Sequence, residues 1–282
     1  MRIARSLTTA LCAGLLSLMA YGGARAADEG VTIDAIKKAG VLRIGTWLQY
    51  QPEMYKDLKT GEIKGFWIEL ARKMATDLGV KLEIVDSDWD GLIPGLQAGK
   101  FEIVLAQMAI TSKRALAVDF AKPWEAVGMA VVIATDSTCD TIECLNAADK
   151  TISTEIGSVN QEVKKNVFPN AKETANKGHN DGFLQVVSKR SDAFLTDNVS
   201  ALAYAKEHPG TVKVVYGGTD KPFLQAFPAG PALPKGSLGF ERWVDIWLQD
   251  QINNGTYHKL YLQEVGWEPA LEELGRQRGW YP

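Results

Sequence analysis

Short apolar runs alternate with amphipathic helical patterns along most of the sequence, and this alternation constrains the fold more than any other feature. Residues 66–78 illustrate the helical pattern, because Trp67, Leu70 and Leu78 fall on one face and Gly79 follows as a helix stop. Strands that alternate with helices are typical of a mainly parallel sheet flanked by helices. The sequence therefore predicts an α/β protein with strands near residues 42–44, 82–85, 103–105, 129–133, 151–153, 193–195 and 212–215.

The sequence of 282 residues is long enough for one large domain or two modest ones. No long linker rich in Gly, Ser or Pro separates its halves, so strands that cross between the halves are expected. The same order of helix end, basic residue, acidic residue and strand occurs at residues 97–107 and 187–197. If this is a repeat rather than chance, Gln107 and Asp197 lie at equivalent strand ends of two α/β units.

The first 26 residues follow the order of a secretory signal peptide. Arg2 and Arg5 precede an apolar run at residues 7–20, and residues 24–26 form a small-residue cleavage motif. The run is shorter than the ~20 residues that a membrane-spanning helix needs. Cys12 lies inside the run and lacks the small residues that precede a lipoprotein cleavage site. We expect cleavage directly after the motif and export of a free protein to the periplasm.

The balance of charge argues against several classes of partner. The formal net charge is −3, and the first 26 residues contain three arginines and no acidic residue, so export makes the charge more negative. A mildly acidic protein has little electrostatic attraction for nucleic acid or for an anionic membrane surface. We therefore predict a soluble protein that binds neither, and we expect it to be a monomer.

Two cysteines follow the predicted cleavage site, Cys139 and Cys144. A close pair in an oxidising compartment predicts a disulfide, and a loop this short stabilises a protein by about 2 kcal/mol. A redox C-x-x-C centre needs closer spacing, and a zinc site needs more ligands than His179, His208 and His258 supply at these separations. We expect no metal and no cofactor.

Residues 89–120 place a single arginine one helical turn past a predicted buried strand. Residues 103–105 form the apolar run, and Thr111 is a suitable cap for a second helix in which Arg114 is the third residue. Ligands of open α/β sheets bind where strands end and helices begin. Residues 107–114 are therefore the first candidate site.

Several motifs occur in the order found in a known family. A W-D-G-L-I-P block followed by G-K runs into a T-x-x-R block within residues 89–114. The other motifs are LRIGT at residues 42–46, Tyr50 with Pro52, GFWIELA at 65–71, VDFAKPW at 118–124 and NNGTYHKLY at 253–261. In these motifs the chain resembles family 3 of the bacterial extracellular solute-binding proteins, the periplasmic amino-acid-binding proteins of ABC importers, over essentially its whole mature length.

The resemblance implies a two-lobed periplasmic-binding-protein fold, a Venus flytrap of type II with two hinge strands. The chain of such a protein leaves the first lobe, builds the second and returns. On this sequence the crossings fall near residues 131–135 and 223–229, and helices from Leu238 onward complete the first lobe. The implied organisation is a signal peptide at residues 1–26, lobe 1 at residues 27–131 and 223–282, and lobe 2 at residues 132–222.

The resemblance also implies two charged anchors for an amino acid. Arg114 aligns with the arginine that binds the ligand carboxylate, and Asp197 aligns with the aspartate that binds the ligand ammonium. Gly157 and Ser158, followed by Val159, match a helix start that offers N–H groups to the same carboxylate. From the residues alone, Arg114 is also consistent with an exposed helix arginine, and Asp197 and Ser158 are consistent with helix caps.

Aromatic and polar positions complete the predicted site. Tyr50 and Trp89 align with groups that sandwich the body of the ligand. Trp47 stands where binders of basic amino acids can carry an acidic residue, which argues against lysine, arginine or histidine. Gln107 and Ala109 replace frequent hydroxyl residues. The predicted ligand contacts are Trp47, Tyr50, Trp89, Gln107, Met108, Ala109, Arg114, Ser158, Val159 and Asp197, with Trp124 as a candidate at the rim of the cleft.

These expectations describe a periplasmic receptor that binds a polar amino acid or a similar zwitterion and delivers it to an ABC permease and its ATPase. No enzyme motif of the serine hydrolase, Walker, dinucleotide-binding or zinc protease type occurs. One alternative is an enzyme on the same fold that resembles cyclohexadienyl dehydratases, with Asp197 or Glu155 in proton transfer. Another is a receptor for a compact cation in an aromatic cage of Trp47, Tyr50 and Trp89.

Overall fold

A computed structural model of the chain describes residues 30–217 and 221–266, and the predicted signal peptide lies outside these ranges. The helices are α1 Ile33–Ala39, α2 Phe66–Leu78, α3 Leu92–Gln97, α4 Ser112–Ala115, α5 Ile142–Leu145, α6 Val159–Val167, α7 His179–Val187, α8 Asn198–Glu207, α9 Leu238–Asn253 and α10 Thr256–Val265. The strands are β1 Val41–Thr46, β2 Gln49–Tyr50, β3 Met54–Lys56, β4 Ile63–Lys64, β5 Lys81–Asp86, β6 Ile103–Val104, β7 Asp119–Phe120, β8 Glu125–Ala134, β9 Thr151–Glu155, β10 Lys172–Asn176, β11 Ala193–Asp197, β12 Val212–Tyr216, β13 Ala226–Ala229 and β14 Ala232–Leu233.

The first sheet has the strand order β5-β1-β6-β14-β7. Strand β1 pairs in parallel with β5 and β6, which confirms the expected parallel core, and β14 pairs antiparallel with β6 and β7. Helices α1, α2 and α3 pack on this sheet, and the C-terminal helices α9 and α10 pack against each other and, through α10, on α2. A small antiparallel sheet of β2, β3 and β4 adjoins α2. We call these elements the first lobe.

Helix α2 has the apolar stripe and the glycine stop that its sequence predicts. Its bounds are those of the predicted helix, and its apolar stripe, which includes Trp67, Leu70 and Leu78, is buried in the first-lobe core. Gly79 ends it in the left-handed conformation, with φ of 73°, and the Gly79 N–H donates to the Ala75 carbonyl. A residue with a Cβ is strained in this conformation, so glycine is the natural stop.

Trp124 belongs to the first-lobe core, the more frequent place for a large ring, and not to the rim of the cleft. Its indole stacks on that of Trp67, with ring centroids 5.3 Å apart and planes 4° apart, and Trp247 of α9 adds a third ring at 5.9 Å from Trp124. Burying a ring of this size removes a large apolar area from water, and the stack gains further from ring contact. Trp124 therefore packs α9 against the rest of the first lobe.

The second sheet has the strand order β10-β9-β11-β8-β12. Strands β10, β9 and β11 are parallel, whereas β8 pairs antiparallel with both β11 and β12. Helices α6, α7 and α8 pack on its faces. We call these elements the second lobe, and its parallel strands again confirm the α/β prediction.

Strand β8 is shared between the two lobes. Residues 125–128 pair antiparallel with β13, and residues 129–133 pair with β11 of the second sheet. The chain leaves β13 for β14 of the first sheet. Around this crossing, the Ile110 N–H of the first lobe donates to the Pro228 carbonyl at 2.7 Å. Two paired strands therefore connect the lobes, with the sheet partner changing near Gly128.

Cys139 and Cys144 form the expected disulfide, directly before and within α5. Over residues 30–217 and 221–266, no helix is both long enough and apolar enough to cross a membrane. Within the same ranges, no three side chains of the His, Cys, Asp or Glu type are grouped so that they could hold a metal ion.

Two helical glycines provide a test of this packing. A Cβ on Gly182 of α7 would lie 2.5 Å from Cε2 of the buried Phe194 ring, whereas a Cβ on Gly239 of α9 meets nothing within 4 Å. We expect Gly182→Ala to lower the free energy of unfolding by about 1–3 kcal/mol through overpacking. Gly239→Ala, the matched control, is expected to raise it by about 0.5–1 kcal/mol, because alanine restricts the unfolded chain. Urea unfolding of both variants checks this, and equal shifts of one sign contradict it.

Candidate ligand-binding cleft

A cavity lies between the two lobes. Every predicted ligand contact lines it except Met108, whose side chain is buried in the first-lobe core. The backbone turns at Gln107, where φ is 47°, and the Met108 side chain that follows packs into the core while Gln107 and Ala109 face the cavity. The cavity is lined by Trp47, Tyr50, Trp89, Ala106, Gln107, Ala109 and Arg114 on the side of the first lobe and by Val127, Met129, Glu155, Ser158, Val159, Asn160, His179 and Asp197 on the other side.

Arg114 is the cationic group of the cleft. Thr111 caps α4 by accepting a hydrogen bond from the Arg114 N–H, as predicted, which fixes where the side chain begins. The guanidinium donates to the Ala109 carbonyl of the first lobe at 2.9 Å and to the Gly157 carbonyl of the second lobe at 3.1 Å. Its Cζ lies 5.6 Å from the centre of the Trp89 ring. The guanidinium therefore spans the cleft between the lobes.

Burial lowers the pKa of Arg114 to about 10, because the charged form loses its hydration. The side chain stays cationic at neutral pH. The guanidinium donates to two carbonyl oxygens, and the charge of Glu162 favours its cationic form without a direct ion pair. A bidentate anion such as a carboxylate is the ligand group that this geometry favours.

Asp197 is the anionic group on the opposite side of the cleft. It is the last residue of β11 and the N-cap of α8, with Oδ1 accepting from the Ser200 N–H at 2.8 Å. The same oxygen lies 2.6 Å from the Tyr50 hydroxyl, and Oδ2 accepts from Thr196 Oγ1 at 3.3 Å. The cap and the ligand contact are therefore compatible, because a carboxylate accepts several hydrogen bonds at once.

Tyr50 and Gln107 connect Asp197 to the first lobe. The Tyr50 hydroxyl lies 2.6 Å from Gln107 Oε1 as well as 2.6 Å from Asp197, although a hydroxyl carries only one proton to donate. Burial and the neighbouring Asp197 charge raise the pKa of Tyr50, so the phenol stays protonated. Gln107 has a φ of 47°, a left-handed conformation that is costly for a residue with a side chain. This strained backbone turns the amide toward the phenol.

Two further acids are buried beneath this network, at Glu53 and Glu125. The Trp67 indole N–H donates to Glu53 Oε2 at 3.0 Å, and the Glu125 carboxyl faces Gln107. Burial raises the pKa of Glu53 well above its ordinary value and raises that of Glu125 to about 8. The charges of Glu125 and Asp197 further disfavour ionisation of Glu53, and the charge of Asp197 disfavours ionisation of Glu125. Glu125 is therefore mainly protonated at neutral pH, and the shift of Glu53 has the same direction.

Glu155 and His179 form a second polar pair in the cleft that the sequence did not bring together. Glu155 ends β9 and His179 begins α7, and Glu155 Oε2 lies 3.7 Å from His179 Nδ1. His179 Nε2 is 3.2 Å from Thr196 Oγ1. Burial raises the pKa of Glu155. In the sequence, Glu155 is indicated as a cleft residue by its position at a strand end, just before Gly157 and Ser158.

Aromatic rings cover one side of the cleft. Trp47 lies 5.6 Å from Trp89, 6.0 Å from Tyr50 and 5.1 Å from the His179 ring, measured between centroids. Opposite, Ser158 is the N-cap of α6, and its hydroxyl donates to the Glu155 carbonyl at 2.7 Å. The first turn of α6 follows at Val159, so its N–H groups lie at the Arg114 end of the cavity, as the helix-start prediction requires.

Comparison with known proteins identifies relatives over most of the sequence. The family model of the bacterial extracellular solute-binding proteins, family 3, matches residues 42–266. A glutamine-binding protein of an ABC transporter from Bacillus subtilis (strain 168) is 26% identical over 242 residues, which cover 85% of this chain and 86% of the relative. A cyclohexadienyl dehydratase from Pseudomonas aeruginosa is also 26% identical over 242 residues, covering 85% of this chain and 87% of the enzyme.

A solved structure supports the same fold. The crystal structure of an ancestral amino acid-binding protein, described as a precursor of cyclohexadienyl dehydratase, is 37% identical to this chain with a TM-score of 0.75. The match covers 83% of this chain and 98% of that one. Binding proteins and an enzyme therefore both occur among the similar proteins.

The buried acids predict how stability depends on pH. Glu125 titrates at about 8 in the folded protein against an ordinary value of 4.5, so between these values the folded state holds a proton that the unfolded state has released. Stability should therefore fall as pH rises from about 5 to 8, by up to about 1.4 kcal/mol per pH unit for one proton. Glu53 contributes with the same sign.

Glu125→Gln should flatten this slope, because the amide stays neutral at every pH. Urea unfolding at pH 5, 6, 7 and 8 measures it, with Glu143→Gln on the exposed surface of α5 as the control. A slope in the Glu125 variant equal to that of the unchanged protein would contradict the assignment.

Proposed function

The chain belongs to family 3 of the bacterial extracellular solute-binding proteins, and from this we propose that it is a periplasmic receptor for a polar amino acid or a similar zwitterion. The observation that carries the proposal is the placement of Arg114 and Asp197 on opposite sides of one cavity between two lobes. A receptor of this type delivers its ligand to an ABC permease and its ATPase. Export after cleavage at residue 26 and a monomeric state complete the proposal.

The two anchors match the two charged groups that every free α-amino acid carries. The ligand carboxylate accepts hydrogen bonds from the Arg114 guanidinium and from N–H groups at the start of α6, and the ligand ammonium donates to Asp197. Tyr50 and Thr196 already hold the aspartate in place. The pairing is strong because both anchors are buried, so each gains a counter-charge where water is largely excluded.

The paired strands β8 and β13 provide the hinge for uptake and release. Because the two charged anchors lie on different lobes, a zwitterion that contacts both favours the closed arrangement over an open one. Rotation about a two-strand connection is the usual motion for proteins built this way. Ligand binding and lobe closure are therefore one event in this proposal.

Titration calorimetry of the mature protein, stripped of ligand by unfolding and refolding, against the common amino acids tests the proposal. At least one amino acid should bind and raise the melting temperature, because a ligand that binds only the folded state stabilises it. No heat and no melting shift with any of them would contradict amino-acid binding.

Arg114→Ala tests the carboxylate anchor. We expect an affinity loss of about 2 kcal/mol or more, roughly 30-fold, because a buried charged contact is removed and the ligand carboxylate loses its partner. Arg72→Ala is the matched control and should leave affinity unchanged, because it removes an exposed arginine of α2 that donates to Glu69 and to the Ile63 carbonyl. Equal affinities for the two variants would move the carboxylate site elsewhere.

A second candidate function is a dehydratase activity, which the similarity to the Pseudomonas aeruginosa enzyme and the burial of Glu155 in the cleft favour. A carboxyl whose pKa is raised by burial is suited to proton transfer. Incubation with prephenate and with arogenate, followed by detection of an aromatic product, tests this. We expect no turnover, and product formation that Glu155→Gln abolishes would establish the enzyme instead.

A further inference from the structure

Two short contacts of the cleft meet at the Tyr50 hydroxyl. Its oxygen lies 2.6 Å from Asp197 Oδ1 of the second lobe and 2.6 Å from Gln107 Oε1 of the first. Two oxygens at this distance need a proton between them, because their lone pairs otherwise repel. The Tyr50 hydroxyl supplies one proton, and neither a carboxylate nor an amide oxygen supplies another. One further donor is therefore required at this point.

Asp197 and Gln107 are the two candidates for the second donor. The Asp197 carboxyl also accepts hydrogen bonds from the Ser200 N–H and from Thr196 Oγ1, and such bonds favour its ionised form. The amide of Gln107 has nearly the same shape in either orientation, so turning it over places Nε2 against the phenol. The Gln107 amide then donates to Tyr50, and the Tyr50 hydroxyl donates to Asp197.

The turned amide requires a donor from Glu125. In this orientation the Gln107 oxygen takes the buried position of Nε2, an atom that has no hydrogen-bond partner there. The Glu125 carboxyl is buried at the start of β8, faces the amide and also has an unpartnered oxygen, Oε1. A carboxyl donates only while it holds its proton. One hydrogen bond from the Glu125 O–H to the amide oxygen therefore satisfies both side chains.

The surroundings of Glu125 favour the form that carries the proton. The titratable groups near it are Glu53, Asp197 and Tyr50, and none of these three is a cation. Burial raises the pKa of Glu125 to about 8, and the Asp197 charge acts in the same direction. With the amide turned, Gln107 accepts from the carboxyl instead of donating to it, which favours the protonated form further.

We propose that Glu125 is a positioning residue, which donates to the Gln107 amide oxygen and so directs a chain of hydrogen bonds through Tyr50 to Asp197. The chain starts on the strand shared by the lobes and crosses the cleft in its last step. An ionised Glu125 would accept from the amide and reverse the chain, so the Tyr50 hydroxyl would no longer donate to Asp197. The benefit to a ligand ammonium rests on the proposed receptor function, whereas the chain itself does not.

Urea unfolding of paired variants at pH 6.5 tests the chain without any ligand. Tyr50→Phe should raise the equilibrium constant for unfolding about ten-fold, because Asp197 loses a donor. In Glu125→Gln this effect should be the same within two-fold, because glutamine keeps an N–H donor for the amide oxygen. In Glu125→Met it should be at least three-fold smaller, because methionine has no donor and leaves the amide without a fixed orientation.

Glu143→Gln, on the exposed surface of α5, is the control and should leave the effect of Tyr50→Phe unchanged. An equal effect in the Met and Gln variants of Glu125 overturns the chain, because methionine fills the same space. If Glu125→Met does not fold, infrared spectra at pH 6.5 decide. The difference between the unchanged protein and Glu125→Gln should contain the C=O band of a protonated carboxylic acid, and a carboxylate band in its place overturns the proposal.

Titration calorimetry with the common L-amino acids, one at a time, separates the chain from the receptor function. Each amino acid that binds the unchanged protein should bind Glu125→Gln within three-fold and Glu125→Met at least three-fold more weakly, because the contact between the lobes is weakened. Equal affinities for all three proteins overturn the positioning role. Binding by none of the amino acids overturns the receptor function, and the unfolding comparison still decides for or against the chain.

Discussion

The pairing of strand β8 with partners in both lobes is the constraint on which the cleft depends. Its Met129 is in register with Asp197 of β11, and its Glu125 is in register with Ala229 of β13, which also bridges to Ala109. Asp197 therefore lies on a strand directly beside the ten-residue β8, and the carbonyl that accepts from Arg114 lies one strand further away, beyond β13. The lobes can rotate, but the backbone hydrogen bonds of the hinge fix where the two charges meet.

Burial of charge is the second constraint, and the protein meets it in two different ways. Burial raises the pKa of both Glu53 and Glu125, which lie below the cavity, and the Trp67 indole donates to Glu53. Arg114 stays charged because carbonyl oxygens of both lobes surround it. The cleft thus keeps its ionised groups where a ligand reaches them and protonates the acids that no ligand reaches.

Local features of the fold were predictable from the sequence because they depend on neighbouring residues. The bounds of α2, the cap at Thr111, the disulfide and the strand end at Asp197 all follow from spacing within a few residues. The resemblance to a family then placed Arg114 and Asp197 in one site, which no local pattern could do. Both side chains line the same cavity.

Features that depend on packing between distant segments were not predictable in the same way. Trp124 looked like a candidate for the rim, but its ring has a better environment on Trp67, far away in sequence. Met108 follows a cavity residue and yet packs in the core, because the backbone turns at Gln107 through a positive φ that its sequence does not indicate. Glu155 and His179 meet because α7 packs on β9, and this contact cannot be predicted from a single sequence.

The double role of Asp197 has a consequence for how such a receptor can change over evolution. One of its oxygens caps α8 through the Ser200 N–H, while the charge of the carboxylate serves the cleft. Asn, Ser and Thr can each cap a helix without carrying a charge. Substitution of Asp197 by one of these residues therefore removes the charge and keeps the cap of α8. A receptor of this kind can change its ligand class by one substitution and still fold.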